Sequence, residues 1–372
     1  ELWEHPSVNF ELHGEEFADV PIVFSGSWYD SYTRATLESF MHLSNSKQGP
    51  LRLLMGPWLH GDATMSVTHS GGIELGSDAA IDYNAERLRW FDHWLKGIDN
   101  GVEADEPVRI FTMGGGDGKK NTSGRMNHGG HWRNEHQWPT PQSVRTKYFI
   151  HNDKSMRLEP SIETDSSTSF RFDPDHPTPT IGGNISSGLP IMEPGGFNQL
   201  EGPEFYASSE PYLPLSSRPD VLTFQTQILE QDIEVTGPIK SVLWISSDAI
   251  DTDFTAKLVD VHPPSGDYPD GLAINITDSI IRARYRNGTE KAVLLEPNEV
   301  YEYTIDLWST SNVFKKGHKI RIDISSSNFP RFDRNLNTGG TIGEETDFIK
   351  ATQTIYHNNE FPSHIILPII PR

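Results

Sequence analysis

The feature that most restricts the fold lies near the start of the chain. It is an apolar run "VPIVF", a turn "SGSWYD", an amphipathic stretch "YTRATLESFMHL", and a second apolar run "LRLLM" that enters "GPWLHGD". Leu37, Phe40 and Met41 recur at helical spacing beside Arg34, Glu38 and Ser39, so the middle stretch predicts a helix. Strand, helix and strand in this order make a parallel pair. Both turns then fall at the C-terminal edge of the sheet, where open α/β sheets place their sites. Asp30 in the first turn and His60 in the second are neighbours by topology.

A carboxylate and an imidazole so placed are two thirds of a hydrolytic triad. In α/β-hydrolases the triad runs Ser, Asp or Glu, then His along the chain, and the order here fits its last two members. His60 would take the proton of a serine hydroxyl and return it to the leaving group, while Asp30 would hold the imidazole tautomer. No G-x-S-x-G frame is present: "SGSWYD" puts Ser27 after Gly26 but continues with Trp, Tyr and Asp, and "HSGG" lacks the preceding frame. The expectation is a chain with the charge-relay half of the site, missing the nucleophile and inactive alone. Trp28, Tyr29, Tyr32 and Trp58 flank the pair and are candidates for an acyl pocket.

A second helix is signalled by "NAERLRWFDHWLKG", in which Leu88, Phe91, Trp94 and Leu95 make an apolar stripe and Gly97 supplies the stop. From about Val108 the texture changes to short alternating segments such as "VRIFTM", "SVLWISS" and "KIRIDISSS", separated by Pro, Gly, Asn and Asp turns. That pattern predicts an all-β sandwich or jelly roll. A Pro/Gly-rich excursion as long as 173–203 is uncommon unless functional or disordered, and the functional reading lays it against a partner surface or a site.

Composition narrows the partners. With 52 acidic against 31 basic residues, the net charge of −21 argues against nucleic acid and anionic membrane. The absence of cysteine excludes disulfides, thiolate catalysis and Cys-based zinc sites. The run "IILPII" is far short of the roughly 20 residues of a membrane span. The first residues, "ELWEHPSVNF", read as mid-protein sequence, and a cytoplasmic location is preferred to a secreted one, the compartment otherwise staying open. Glycosylation sequons begin at Asn121, Asn184, Asn275 and Asn287, a density that chance supplies. "GGGDGKKNTS" reads as a hairpin tip, not a phosphate loop, and "DYPDG" as a turn. "HGGHWRNEH" gathers His128, His131, Glu135 and His136, but the spacing misses the inverted zinc-protease motif, so neither a metal nor a cofactor is expected.

The segments "GSWYD", "GPWLHGD", "WFDHWLKG", "PVRIF", "VTGPIKSVLWISSDAIDTDFTAKLVDV", "STSNVFKKGHKIRIDISSSNFPRFDRN" and "PSHIILPII" follow one another along essentially the whole chain. Together they resemble the cocaine-esterase/X-prolyl dipeptidyl-peptidase (CocE/NonD) family of serine hydrolases, and match its C-terminal two thirds. The resemblance implies the C-terminal part of an α/β-hydrolase domain over 1–105, with a remnant of the helical cap at 1–18, followed by a jelly-roll β-sandwich over 106–372. It implies Asp30 and His60 as catalytic residues, Tyr32, Trp28 and Trp58 as substrate-binding residues, and a nucleophile in a missing N-terminal hydrolase half. Relatives acting on α-amino acid esters carry carboxylates just after the catalytic Asp, whereas Ser31, Tyr32 and Thr33 follow Asp30 here. The expected substrate is a small ester ahead of a short X-Pro peptide; a non-catalytic β-sandwich binding module is the alternative. Association into a homo-oligomer is compatible with this reading.

Overall fold

Strand β1 (Ile22–Ser27), helix α1 (Thr33–Ser46) and strand β2 (Leu51–Gly56) form the predicted unit in the computed structural model, which describes residue 5 and residues 9–371. The strands pair in parallel, Ile22 opposite Leu51 through Ser27 opposite Gly56. Leu37, Phe40 and Leu43 of α1 are buried. Leu37 and Phe40 pack with Leu53 and Met55 of β2, so the 3.6-residue period of the helix and the apolar strand meet in one core.

Helix α2 (Tyr83–Lys96) starts at Asp82, whose carboxylate accepts from the Ala85 amide at 3.0 Å. It stops at Gly97, which takes the left-handed conformation that favours glycine. The stripe read from the sequence is largely uncovered. Trp90 is the buried residue of this helix, whereas Leu88 is 56%, Phe91 50% and Leu95 77% exposed. A cleft of about 800 Å³ lies beneath, between the helix and the sheet, and is lined by Ile22, Val23, Leu54, Trp90, Phe91 and Trp132 among others.

Strand β3 (Val108–Gly114) continues the parallel sheet through Leu53 opposite Val108 and Met55 opposite Ile110. The boundary expected at 105/106 therefore falls just before a strand that both units share. Strand β4 (Gly130–Glu135) runs antiparallel along β3. Farther on, β3 pairs in parallel with β11 (Tyr301–Phe314) at Met113 and Gly114. This joins the α/β strands to β8 (Ile233–Ser247), β14 (His364–Ile370) and β5 (Val144–Ile150) in one eleven-stranded sheet. Two of the eleven, β6 (Ser167–Phe172) and β13 (Ala351–Tyr356), branch off its main path.

A second sheet has the order β7 (Leu222–Gln225), β12 (Lys319–Ser325), β9 (Asp253–His262) and β10 (Leu272–Arg282). Apolar side chains of both sheets, among them Leu243, Ile245, Phe254, Leu258, Ile305 and Ile322, share one core. The α/β core has its own cluster, yet Leu272 and Ile274 of β10 belong to it. The two units thus meet through buried apolar surface.

Of the expected cap remnant, residues 1–4 and 6–8 lie outside the described residues. One helical turn, Phe10–His13, follows, and Lys47 at the end of α1 donates to the Glu15 and Phe17 carbonyls at 2.9 and 2.7 Å.

The stripe on α2 and the free edge of β1 predict self-association, because apolar residues and unpaired strand amides both recruit partners. At micromolar concentration the chain is expected to scatter more light than a monomer. Leu88→Glu with Leu95→Glu lowers that scattering and changes stability by no more than about 0.5 kcal/mol, since both sites are exposed. Unchanged scattering in the double variant would assign association to another surface.

Candidate active site

The two turns are tied together beyond the ends of their strands. The Trp28 amide donates to the Gly56 carbonyl at 2.9 Å, and the Tyr29 amide to the Trp58 carbonyl at 3.2 Å. Thr33, at the start of α1, secures the first turn: its hydroxyl lies 2.6 Å from both the Ser27 and the Asp30 carbonyl oxygens. Opposite Ser27, Gly56 admits the Trp58 ring, for a Cβ there would stand 2.2 Å from it. The second turn passes through Gly61, at φ 96°, into a short 3-10 helix, Asp62–Ser66.

These constraints bring Asp30 and His60 into contact. His60 Nδ1 lies 3.0 Å from Asp30 Oδ2 and 3.2 Å from Oδ1. Since an ionised carboxylate only accepts, Nδ1 carries the proton and Nε2 keeps its lone pair. Asp30 also accepts from the Tyr32 amide, at 3.1 Å to Oδ1. The Asp30 side chain is 10% exposed and that of His60 48%. The carboxylate is held inside while the imidazole faces outward, and among the described residues no hydrogen bond engages Nε2. A fixed imidazole whose distal nitrogen is free can accept a proton from a hydroxyl brought to it.

The flanking aromatics divide into two groups. Tyr32 is exposed and its ring lies 5.3 Å from that of His60, tilted by 33°. It offers a surface to a ligand. Trp28 and Trp58, expected to line the pocket, are 0% and 1% exposed. Their indole N–H groups donate to the Phe111 and Ala79 carbonyls at 2.7 and 2.6 Å. They pack beneath the turns and support them, because ring burial of this extent contributes more to a core than to a binding wall. Tyr29 is buried as well, its hydroxyl donating to the Asn275 carbonyl at 3.0 Å. Burial, with Asp260 adding, pushes its phenol far above the ordinary value.

The long excursion at 173–203 supplies a contact that pattern reading missed. Asn184 is fully buried, and its Nδ2 donates to the Trp28 carbonyl, two residues before Asp30. Asn275 is also buried, donating to the Gly195 carbonyl at 3.1 Å and accepting from the Phe197 amide at 2.7 Å. Neither asparagine is open to glycosylation in the folded chain. The signal was the length of the excursion; nothing local in "GGNIS" marks Asn184 as a brace.

The comparisons with known proteins show the family. Residues 100–366 match the model of the X-Pro dipeptidyl-peptidase C-terminal non-catalytic domain. The chain belongs to the CocE/NonD family. It is 34% identical to a cocaine esterase of Rhodococcus sp. (strain MB1 Bresler), over 100% of this chain and 60% of that protein. An aminopeptidase from a marine sediment Thaumarchaeota archaeon superposes with a TM-score of 0.78 at 22% identity, over 98% of this chain and 58% of the other. An α-amino acid ester hydrolase gives the same TM-score, identity and shares. The chain spans about half to three fifths of the length of the curated relatives.

Thr33→Val tests the support of the first turn. It keeps the shape but removes the hydroxyl that serves two buried carbonyls, and should destabilise by about 1–3 kcal/mol. Urea unfolding measures this directly. A midpoint equal to that of the parent would mean that the turn is held by the strand-end amides alone.

Proposed function

We propose that this chain is the Asp- and His-bearing part of a serine hydrolase that cleaves carboxylic esters through an acyl-enzyme. On this reading residues 1–105 are the C-terminal part of an α/β-hydrolase domain, and residues 106–372 a jelly roll packed against it. The observation that carries the proposal is the contact of His60 Nδ1 with the Asp30 carboxylate, with Nε2 left free. The serine comes from a segment outside these 372 residues. As its hydroxyl adds to the ester carbonyl, the proton passes to His60 Nε2, and Asp30 stabilises the imidazolium so formed. That proton then leaves with the alcohol as the acyl-enzyme forms. Water, deprotonated by the same nitrogen, releases the acid and regenerates the hydroxyl.

Two features favour esters over dipeptidyl substrates. A free α-ammonium group calls for a carboxylate beside the site, and Ser31, Tyr32 and Thr33 provide none after Asp30. Asp62, two residues beyond His60, is already paired with Arg87 at 2.9 Å. The cocaine-esterase likeness points the same way. The family model's description and the aminopeptidase likeness support X-Pro peptide cleavage as the second reading.

The chain alone should show no turnover of an aryl ester above the buffer blank, because no serine is activated. Co-expressed with an N-terminal segment of a relative that carries G-x-S-x-G, it should hydrolyse aryl esters. In that complex His60→Ala and Asp30→Asn each lower kcat by about a thousandfold or more. His93→Ala, remote from the turn and engaged with Glu103, leaves the rate unchanged. A His60→Ala complex within about twofold of the parent would remove His60 from the mechanism. Tyr32→Ala should alter the ranking of bulky against small acyl groups more than the rate with acetate esters. X-Pro p-nitroanilides turned over faster than esters would favour the peptidase reading.

A further inference from the structure

Behind the Asp30 turn, where β9 ends and β12 begins, imidazoles gather around one buried carboxylate. Asp260 is 1% exposed. His318 Nδ1 donates to its Oδ1 at 2.9 Å. His262 Nε2 stands 3.4 Å from Oδ2, with the imidazole only 9% exposed. That nitrogen has no hydrogen-bond partner among the described residues. The third imidazole, His128, arrives from the loop between β3 and β4. Its Nε2 donates to Asn312 Oδ1 at 2.8 Å, which leaves Nδ1 with a lone pair. One ligating atom from each of His128, Asp260 and His262 lies within 4.8 Å of the other two.

A hydrogen-bond network alone leaves this cluster unsatisfied. The 3.4 Å contact of His262 Nε2 with Asp260 Oδ2 misses hydrogen-bond geometry, and native interiors seldom leave a buried imidazole nitrogen so poorly matched. The donor set has the chemistry of a divalent cation site: imidazole nitrogens, one carboxylate, and no thiolate. The supporting contacts also fit, since metal-binding imidazoles and carboxylates are held by outer hydrogen bonds of the kind that Asn312 and His318 make. Around a tetrahedral ion with ligands at about 2.0–2.2 Å, ligand atoms stand roughly 3.4 Å apart. Small rotations of the two imidazoles close the difference.

We infer that His128, Asp260 and His262 bind a divalent transition-metal ion of the zinc class, with His318 as the positioning partner of Asp260. An adjoining cleft of about 90 Å³, lined by Gly116, Gly118, His262, Tyr268, Lys315 and His318 among others, gives the entry path and room for a water as fourth ligand. Lys315 reaches into this cleft, but its ammonium group donates to the Gly116 carbonyl at 2.6 Å. The ion ties the loop that leaves the α/β strands to the end of β9. This role is structural and separate from ester hydrolysis. Such a site departs from the sequence expectation of no metal. The local cluster in "HGGHWRNEH" does not form, because His131 and His136 are exposed, and the partners of His128 lie more than a hundred residues downstream.

The test uses the tag-free chain, stripped with a chelator and titrated with Zn²⁺ by calorimetry at pH 7.5. One equivalent should bind with Kd of about 10 µM or tighter, and saturating Zn²⁺ should raise the thermal midpoint by several degrees. Co²⁺ should give visible d–d bands typical of four or five coordination. His262→Ala and Asp260→Asn should weaken binding at least about thirtyfold with far-UV circular dichroism unchanged. His136→Ala, whose parent imidazole is exposed and paired with Glu106, should bind as the parent does. Failure of the parent chain to take up one equivalent overturns the proposal whatever the variants do. Undiminished binding by folded His262→Ala and Asp260→Asn overturns it as well.

Discussion

Strand β3 is the constraint on which the rest of the structure depends. One of its edges is occupied along its length by β4, so β2 and β11 must share the other, β2 at Val108–Ile110 and β11 at Met113–Gly114. Six of its seven residues are buried, and its Phe111 carbonyl accepts the Trp28 indole N–H from the Asp30 turn. At its end only glycine fits. Gly114 has φ 85°, and a Cβ there would stand 2.3 Å from the Val313 carbonyl oxygen. A strand committed on both edges cannot shift register without breaking both units, so the position of the turns and the placement of the second sheet are fixed together.

Much of the α/β part was legible because its information is local. The apolar runs of β1 and β2 and the helical spacing of Leu37 and Phe40 sufficed to predict a parallel pair, and topology then brought Asp30 to His60. Gly97 marked the end of α2 in the same local way, through a left-handed stop. The strand-rich texture after Val108 likewise follows from period-two alternation, which each strand carries within itself.

What was not legible depends on partners distant in sequence. Trp28 and Trp58 read as pocket residues because they flank the pair, yet a side chain's direction at a strand end is set by what packs behind it. Here the carbonyls of Phe111 and Ala79 draw both indoles inward. The stripe of Leu88, Phe91 and Leu95 on α2 is legible from its period, but periodicity reports only that a face is apolar. Whether it is covered depends on residues elsewhere. Asn184 and Asp260 carry the same lesson, since each takes its meaning from a contact with a segment far along the chain.

The contacts behind the first turn also bear on what the β-rich unit contributes to the site. The Asp30 turn is gripped from three directions: by the β2 turn through the Trp28 and Tyr29 amides, by the excursion through Asn184, and by β10 through the Asn275 carbonyl. Two of those three belong to the region that matches a domain described as non-catalytic. None of its contacts reaches His60 Nε2, so that description fits the chemistry. It does not fit the geometry. A charge relay works only while the carboxylate keeps the imidazole in one tautomer and one orientation, and a displacement on the order of 1 Å is enough to lose it. Asp30 follows a backbone whose Trp28 carbonyl is engaged by the excursion and whose Tyr29 side chain is anchored on β10. The β-rich unit is therefore part of the support of the Asp30–His60 pair, and loosening it should reach that pair through Trp28 and Tyr29 before it reaches any residue on α1.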